Sequence, residues 1–367
     1  MISDLFLQQV DSGRTGRNQG FTMGMPKLEE IVDGNTAETY TLIYAGTGNG
    51  KSSFALYSYV YRPIVEHFND DKFRVTYFSL EMSKITVLAR LLSLHLFDEY
   101  GVNISPKEIF SRKKNYILCD EYYQLVKESM PWLDKLCEKV IIYDATCNAD
   151  YIYQHLISNL KLTGEFKKID GKTVYVPNDP ELIHNVVIDH IGLVKPSAGN
   201  SLKDEIDAVS RVLVQLRNET KISPVVLMQI NRESGNIERR KQGLNNLTLN
   251  DVKDSGNPTQ DCNIAISIFN PFREKLASYN KYDIKKLEDS FRVLTVQKAR
   301  DGTSSVEIGV NFFGRNGYWH ELPRPDEIND YDKYLTPNYI LGESIDTNNT
   351  DIPEVKDTIK NNFKFVM

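Results

Sequence analysis

The chain has 367 residues, 41% of them hydrophobic and 26% charged, with a formal net charge of -6 at pH 7. That is room for one large α/β domain with extensions or for two or three average domains, and no apolar run reaches membrane-spanning length. The four cysteines (Cys119, Cys137, Cys147, Cys262) and six histidines are scattered without metal-ligand spacing. Together with the lack of a signal peptide, this argues against a disulfide framework or a zinc site and for a reducing, cytoplasmic compartment. The acidic balance argues against coating nucleic acid by bulk electrostatics and leaves a local basic groove open.

In chain order, residues 1–20 read as an arm: Ile2 to Val10 has the spacing of a short amphipathic helix, and Gly13 to Gly20 is a basic, Gly-rich connector. From Phe21 to about Trp319, apolar strand-like runs alternate with helical stretches, the pattern of a mostly parallel central sheet flanked by crossover helices. The buried strands are expected at Thr41 to Ala45, Arg74 to Ser79, Lys139 to Tyr143, Asn185 to Asp189, Pro224 to Gln229, Ile264 to Phe269 and Val293 to Gln297. Ile85 to Tyr100 and Lys203 to Thr220 are the clearest helices, and Glu165 to Asp179 reads as a hairpin turning at Asp170-Gly171. The segment 323–367 is acidic, Asn-rich and Pro-punctuated, and is expected to be a largely extended tail. No internal repeat is visible.

The first strand runs into Ala45-Gly46-Thr47-Gly48-Asn49-Gly50-Lys51-Ser52-Ser53, a phosphate-binding loop in the strand-to-helix setting that this chemistry requires. Glycines let backbone N–H groups turn in around the phosphates, Lys51 reaches the β- and γ-phosphates, and the Ser52 hydroxyl holds Mg²⁺. Ala45 stands where a first glycine is usual, a small-for-small change. ATP and Mg²⁺ are the expected cofactors. Three later strands end in polar groups. Asp189 is placed to hold the metal through water beside Ser52. Glu81 is placed to polarise the attacking water, although a Glu is equally at home at a helix N-terminus. Gln229 is placed to sense the γ-phosphate. The polar stretch from Arg232 through Lys253, Asp254 and Gly256 suits contacts to a polymer backbone, or a solvated loop. Lys298 and Arg300, two residues apart on a strand end, suit a triphosphate in their own or a neighbouring subunit, or simply solvent.

Taken in order, these segments resemble the ATPase domain of DnaB-type hexameric replicative helicases, within the RecA-like P-loop ATPases. The resemblance runs from about Gly20 to Trp319. Besides the phosphate loop, it is carried by Phe78-Ser79-Leu80-Glu81-Met82-Ser83, Val187-Ile188-Asp189-His190, Asp207-Ala208-Val209-Ser210-Arg211, Gln229-Ile230-Asn231-Arg232, Asp254-Ser255-Gly256 with Gln260-Asp261, and Gln297-Lys298-Ala299-Arg300-Asp301-Gly302. It implies Glu81 as catalytic base, Asp189 as Mg²⁺ partner, Gln229 as γ-phosphate sensor, and Lys298 and Arg300 as cations offered in trans. It also implies a central loop with Arg232, Lys253, Asp254 and Gly256 on single-stranded DNA. Lys253 and Asp254 stand where the family usually has Arg and Glu, and His190 and Gly192 replace its usual Tyr and Gln. The family's helical N-terminal domain is not matched, so the arm is expected to pack on a neighbouring subunit instead. Compactness and the abundance of Asn, Lys, Ile and Tyr fit a phage or mobile-element version.

The expectation is therefore a ring-forming ATP-dependent DNA helicase, hexameric in the family's manner, moving 5′ to 3′ on single-stranded DNA, with a primase, loader or polymerase as partner and no membrane. A RecA-like recombinase or repair ATPase, and a non-unwinding ATP-binding structural protein, are the alternatives. A nucleotide kinase would need an acceptor site and lid that the sequence does not display.

Overall fold

A computed structural model describes residues 2–169, 171–230, 247–252, 256–300 and 302–336. Nine strands form its central sheet: β1 (Thr41–Ala45), β2 (Phe73–Ser79), β3 (Val140–Tyr143), β6 (Ile183–Asp189), β7 (Ser223–Gln229), β8 (Ile264–Phe269), β11 (Phe291–Ala299), β12 (Val306–Phe313) and β13 (Tyr318–Glu321). Their order across the sheet is β13-β12-β11-β8-β1-β7-β6-β2-β3. Two small hairpins stand apart from it, β4 (Gly164–Ile169) with β5 (Lys172–Pro177), and β9 (Ser278–Tyr279) with β10 (Tyr282–Asp283). The seven sheet strands expected from sequence all form. From β8 to β3 the pairing is parallel, and β11, β12 and β13 are added antiparallel. Every residue of β1 and β6 is buried, as strands covered on both faces require.

The helices are α1 (Ile2–Arg14), α2 (Pro26–Val32), α3 (Lys51–Leu56), α4 (Arg62–Glu66), α5 (Lys84–Tyr100), α6 (Pro106–Ile109), α7 (Asp120–Glu128), α8 (Met130–Lys139), α9 (Ala149–Thr163) and α10 (Leu202–Thr220), followed by shorter turns. A π-helical turn, Tyr57–Tyr61, makes α3 and α4 one continuous helical segment. Alternate residues of β1 feed two cores. Ile43 and Ala45 pack with Phe54, Val87, Leu91 and Leu136 on one face. Leu42 and Tyr44 pack with Ile152, Leu156, Val209 and Leu213 of α9 and α10 on the other. A satellite cluster joins Leu92 and Leu96 of α5 to Ile109 and Leu125.

The hairpin of β4 and β5 is the one expected from sequence. Tyr175 ties it to α9, its hydroxyl donating to Leu160 O at 3.2 Å. The arm's helix α1 exposes Phe6 and Leu7. Of the segment expected to be a tail, the described part packs on the body: Ile328 is buried, Tyr331 and Tyr334 lie against the second core, and the Tyr331 hydroxyl accepts from Asp283 N. Apolar Ile328, Tyr331, Tyr334 and Leu335 give residues 323–336 a reason to dock that average composition hides.

Candidate nucleotide site

The phosphate loop leaves β1 at the point where the strand order reverses, between β7 and β8, which is where open α/β sheets place ligands. Gly48 and Gly50 have φ of 76° and 100°, a region that suits glycine. Both also have crowded surroundings. A Cβ on Gly50 would lie 2.8 Å from the Trp319 ring, and one on Gly48 would collide with Arg273 Nη1.

Two arginines orient the loop from outside. Arg273 Nη1 donates to Thr47 O at 3.2 Å, and Arg292 Nε donates to Asn49 O at 3.1 Å. In a trans peptide the next N–H points opposite to the carbonyl, so the Gly48 and Gly50 amides face away from these arginines. Arg292 is almost completely buried, with its guanidinium 5.3 Å from the Phe312 ring centre. Burial lowers its pKa to about 10, and it remains a cation at neutral pH. Asp289 sits between the arginines, 3.3 Å from Arg273 Nε and 3.6 Å from Arg292 Nη2. Burial alone would raise its pKa, but a hydrogen bond from Asn270 and the two guanidiniums hold it below the usual value. Beside Arg273 opens a cavity of about 590 Å³ lined by apolar Phe272, Leu276, Ala277 and Ile284 and by Lys275 and Lys285.

Inside the loop, the expected metal pair meets. Ser52 Oγ donates to Asp189 Oδ1 at 2.9 Å, and Tyr77 Oη donates to Asp189 Oδ2 at 2.7 Å. Asp189 is fully buried and Lys51 nearly so. One hydroxyl and one carboxylate, both oxygen donors, fit Mg²⁺, which keeps several waters and takes its remaining ligands from phosphates. No cluster of three or more His, Cys, Asp or Glu suited to a metal occurs among the described residues.

Glu81 follows β2, whose Ser79 pairs with Asp189 of β6. The turn that carries it is fixed at both sides: Leu80 N donates to Asp189 O at 2.7 Å, and Ser79 Oγ donates to Met82 O at 2.5 Å. Glu81 itself is exposed. Ser53 turns aside, accepting from Arg90 Nη1 of α5 at 3.1 Å. Gln229 ends β7 opposite Ala45, the residue that opens the loop. Its neighbour Ile230 bridges Val252, so the strand end and the segment before Lys253 are joined.

Lys298 and Arg300 are not brought to this site. β11 runs antiparallel to β8, so Lys298 pairs with Ala265 and Ala299 with Ile264, at the start of the parallel strands. The phosphate loop follows their far end, about 13 Å away along β1 at roughly 3.3 Å per residue. Lys298 Nζ is engaged by Thr259 O and Gln260 O at 3.2 and 3.0 Å, whereas Arg300 is exposed. Gly256 lies against α10, where a Cβ would collide with Asp207 Oδ1, and Asn257 N donates to that same oxygen. Ser210 Oγ donates to Asp261 Oδ2 at 2.7 Å, a second tether of the same segment. Arg232, Lys253 and Asp254 lie outside the described residues.

Sequence reasoning missed Tyr77, Arg90, Arg273, Arg292 and Trp319 as parts of the site. Arg273, Arg292 and Trp319 follow the loop by more than 200 residues, and no local pattern marks them. Asp207 and Ser210 were within reach, since both stand in a segment that carries the family resemblance.

The fold has solved counterparts. One structure of an isolated ATPase domain superposes with a TM-score of 0.65 at 19% identity, covering 88% of this chain and 99% of that one. A DnaB-like replicative helicase, solved in a study of its interactions with primase, gives 0.63 at 20% identity over 88% of this chain and 67% of that one. In sequence, the replicative DNA helicase DnaB of Helicobacter pylori (strain ATCC 700392 / 26695) is 25% identical over 271 residues, 73% of this chain and 48% of the relative. A probable replicative DNA helicase of Trieres chinensis is 23% identical over 301 residues, 80% of this chain and 56% of the relative. The chain thus spans about half the length of the curated relatives it matches. Residues 20–316 match the DnaB-like helicase C terminal domain, and the chain belongs to that family.

Proposed function

We propose that the protein is an ATP-dependent, Mg²⁺-requiring DNA helicase that works as a ring, hexameric as its family would have it, and moves 5′ to 3′ on single-stranded DNA during replication. The observation that carries this reading is the division of its chemistry between the two ends of one sheet. Lys51, Ser52 and Asp189 gather at the C-terminal ends of the parallel strands, while Arg300 stands exposed at the other. A cation so far from its own loop suits a neighbour's nucleotide in a head-to-tail assembly where each subunit completes the next, and the family resemblance makes that assembly a ring.

In each site the loop amides and Lys51 bind the β- and γ-phosphates, and Ser52 with Asp189 holds the metal. Bound Mg²⁺ supplies charge neutralisation across the transferring phosphoryl group. Glu81 accepts the proton of the attacking water. The cavity beside Arg273, partly apolar in its lining, would take the base end of the nucleotide. Arg300 reaches the neighbour's γ-phosphate, and Lys298 joins it only by giving up its two carbonyl bonds. Gln229 passes the state of the γ-phosphate through the Ile230–Val252 bridge to the segment with Lys253, Asp254 and Gly256, which together with Arg232 grips the DNA backbone. Successive hydrolysis moves these segments in turn. The compartment is cytoplasmic, and a primase, a loader or a polymerase is the partner class to test.

The test is strand separation on forked duplexes bearing only a 5′ or only a 3′ single-stranded tail, with Lys51→Ala as control. Unwinding from the 5′ tail, abolished by Lys51→Ala, is the expected result. DNA-stimulated hydrolysis with no strand released would favour the recombinase-like alternative. Nucleotide binding without hydrolysis would favour the structural one.

A further inference from the structure

We propose that Tyr77 is a positioning residue for the metal carboxylate: its hydroxyl holds one oxygen of Asp189 so that the other stays turned toward Ser52 and the metal. This rests on the nucleotide and Mg²⁺ reading above and adds to it a residue that lies outside every segment on which the family resemblance rests.

A fully buried carboxylate needs hydrogen-bond donors, and it also has a twofold freedom about its terminal torsion. Mg²⁺ demands near-octahedral geometry, so a carboxylate that contacts it through water acts well only if one oxygen is held toward the metal. At Asp189 the two oxygens have different donors. Ser52, itself a candidate ligand, takes Oδ1 at 2.9 Å, and Tyr77 takes Oδ2 at 2.7 Å. When the metal draws on Ser52 and Oδ1, the Tyr77 bond is the one that remains.

The sheet dictates the reach. Ser79 is directly opposite Asp189 across the β2–β6 pair, and Tyr77 is two residues earlier on the same face of β2. That diagonal separation is about 7–8 Å between backbones, which a phenol spans and a shorter hydroxyl does not. Tyr77 belongs to the core cluster that also holds Phe54 and Leu56 of the loop helix, so its ring is locked by packing on the face where the loop sits. Burial and the Asp189 charge keep the phenol protonated and able to donate, with Arg90 opposing and Glu81 reinforcing from the same neighbourhood.

Tyr77→Phe keeps the packing and removes only the donor. The full chain is titrated with Mg²⁺ at fixed ADP, reading the melting temperature and, in a Trp132→Phe background that leaves Trp319 as the single tryptophan, the fluorescence of Trp319, which lies against Gly50 of the loop. The expected result is a Mg²⁺ midpoint raised by about tenfold, as for other residues that orient a metal ligand, with Mg²⁺-free ADP binding unchanged. In an Asp189→Asn background Tyr77→Phe should shift the midpoint no further. An unchanged midpoint in the single variant overturns the assignment, and so does an equal loss of Mg²⁺-free binding, which would mark a merely structural role. If Tyr77→Phe does not fold, the unsubstituted chain is read directly by NMR: the Tyr77 hydroxyl hydrogen bond to Asp189 should persist when Mg²⁺ and ADP bind, and its loss on metal binding would overturn the proposal. If the unsubstituted protein shows ADP binding with no Mg²⁺ dependence, the metal reading itself fails, independently of Tyr77.

Discussion

The two ends of the parallel sheet are built to different rules. At the C-terminal end, Ser52 and Tyr77 both donate to Asp189, the loop carbonyls are bound by Arg273 and Arg292, and the centre is buried. At the N-terminal end, Arg300 is exposed, and its backbone N–H is held by Asn263 O while its guanidinium faces outward. Pre-organised polar groups in a dry site act without reorganisation, whereas an exposed cation gains its effect only when a partner excludes water around it. On the proposed reading, the contrast separates a half-site built within one chain from a cation that would act only in an assembly.

Four substitutions and one mixture of variants probe this contrast. Lys51→Ala should abolish hydrolysis and unwinding to background, measured by phosphate release, because it removes the charge nearest the transferring group. Arg300→Ala should lower turnover by about 10³-fold or more while leaving nucleotide affinity of the separated subunit intact. Mixing the two inactive variants sharpens the comparison: an interface pairing an intact loop with an intact Arg300 should recover hydrolysis, and no recovery at any ratio would place Arg300 outside a shared site.

Gly50→Ala tests the loop end by packing rather than charge. With φ at 100° and Trp319 2.8 Å from the new methyl group, it should cost about 1–3 kcal/mol in denaturant unfolding and weaken nucleotide binding. The smallest effect belongs to a remote control, Glu108, which receives two bonds of 2.9 Å from Arg315 and one of 3.0 Å from Lys113. Burial would raise its pKa, but these bonds and those from Ser105 bring it down to about 2 from the ordinary 4.5. A depressed folded-state value means the contribution is fully present above about 4.5 and is lost as pH falls toward 2. Because Arg315 and Lys113 are themselves half exposed, it should amount to about 1–2 kcal/mol. Glu108→Gln should flatten that part of the stability curve and leave hydrolysis at neutral pH unchanged.

Local pattern revealed much of the fold because the parallel strands are buried on both faces and so read as unbroken apolar runs, as in Val186-Val187-Ile188 and Val225-Val226-Leu227. The short helices between residues 106 and 139 were not individually legible. They are brief and join partly exposed surfaces, with Ile117 and Tyr123 left in solvent, so their periodicity is weak. The folded start of the segment after Pro323 was hidden in the same way: its few apolar residues matter through what they pack against.

The phosphate loop, the strand-end carboxylates and the order of elements could be read from the chain alone, because each depends on residues adjacent in it. Which strands lie side by side could not. That arrangement, a property of the folded sheet, places Tyr77 on Asp189, Arg273 and Arg292 on the loop carbonyls, and Arg300 at the far end. These are meetings of residues separated by tens to hundreds of positions, and the geometry that joins them is set by burying both faces of one sheet at once.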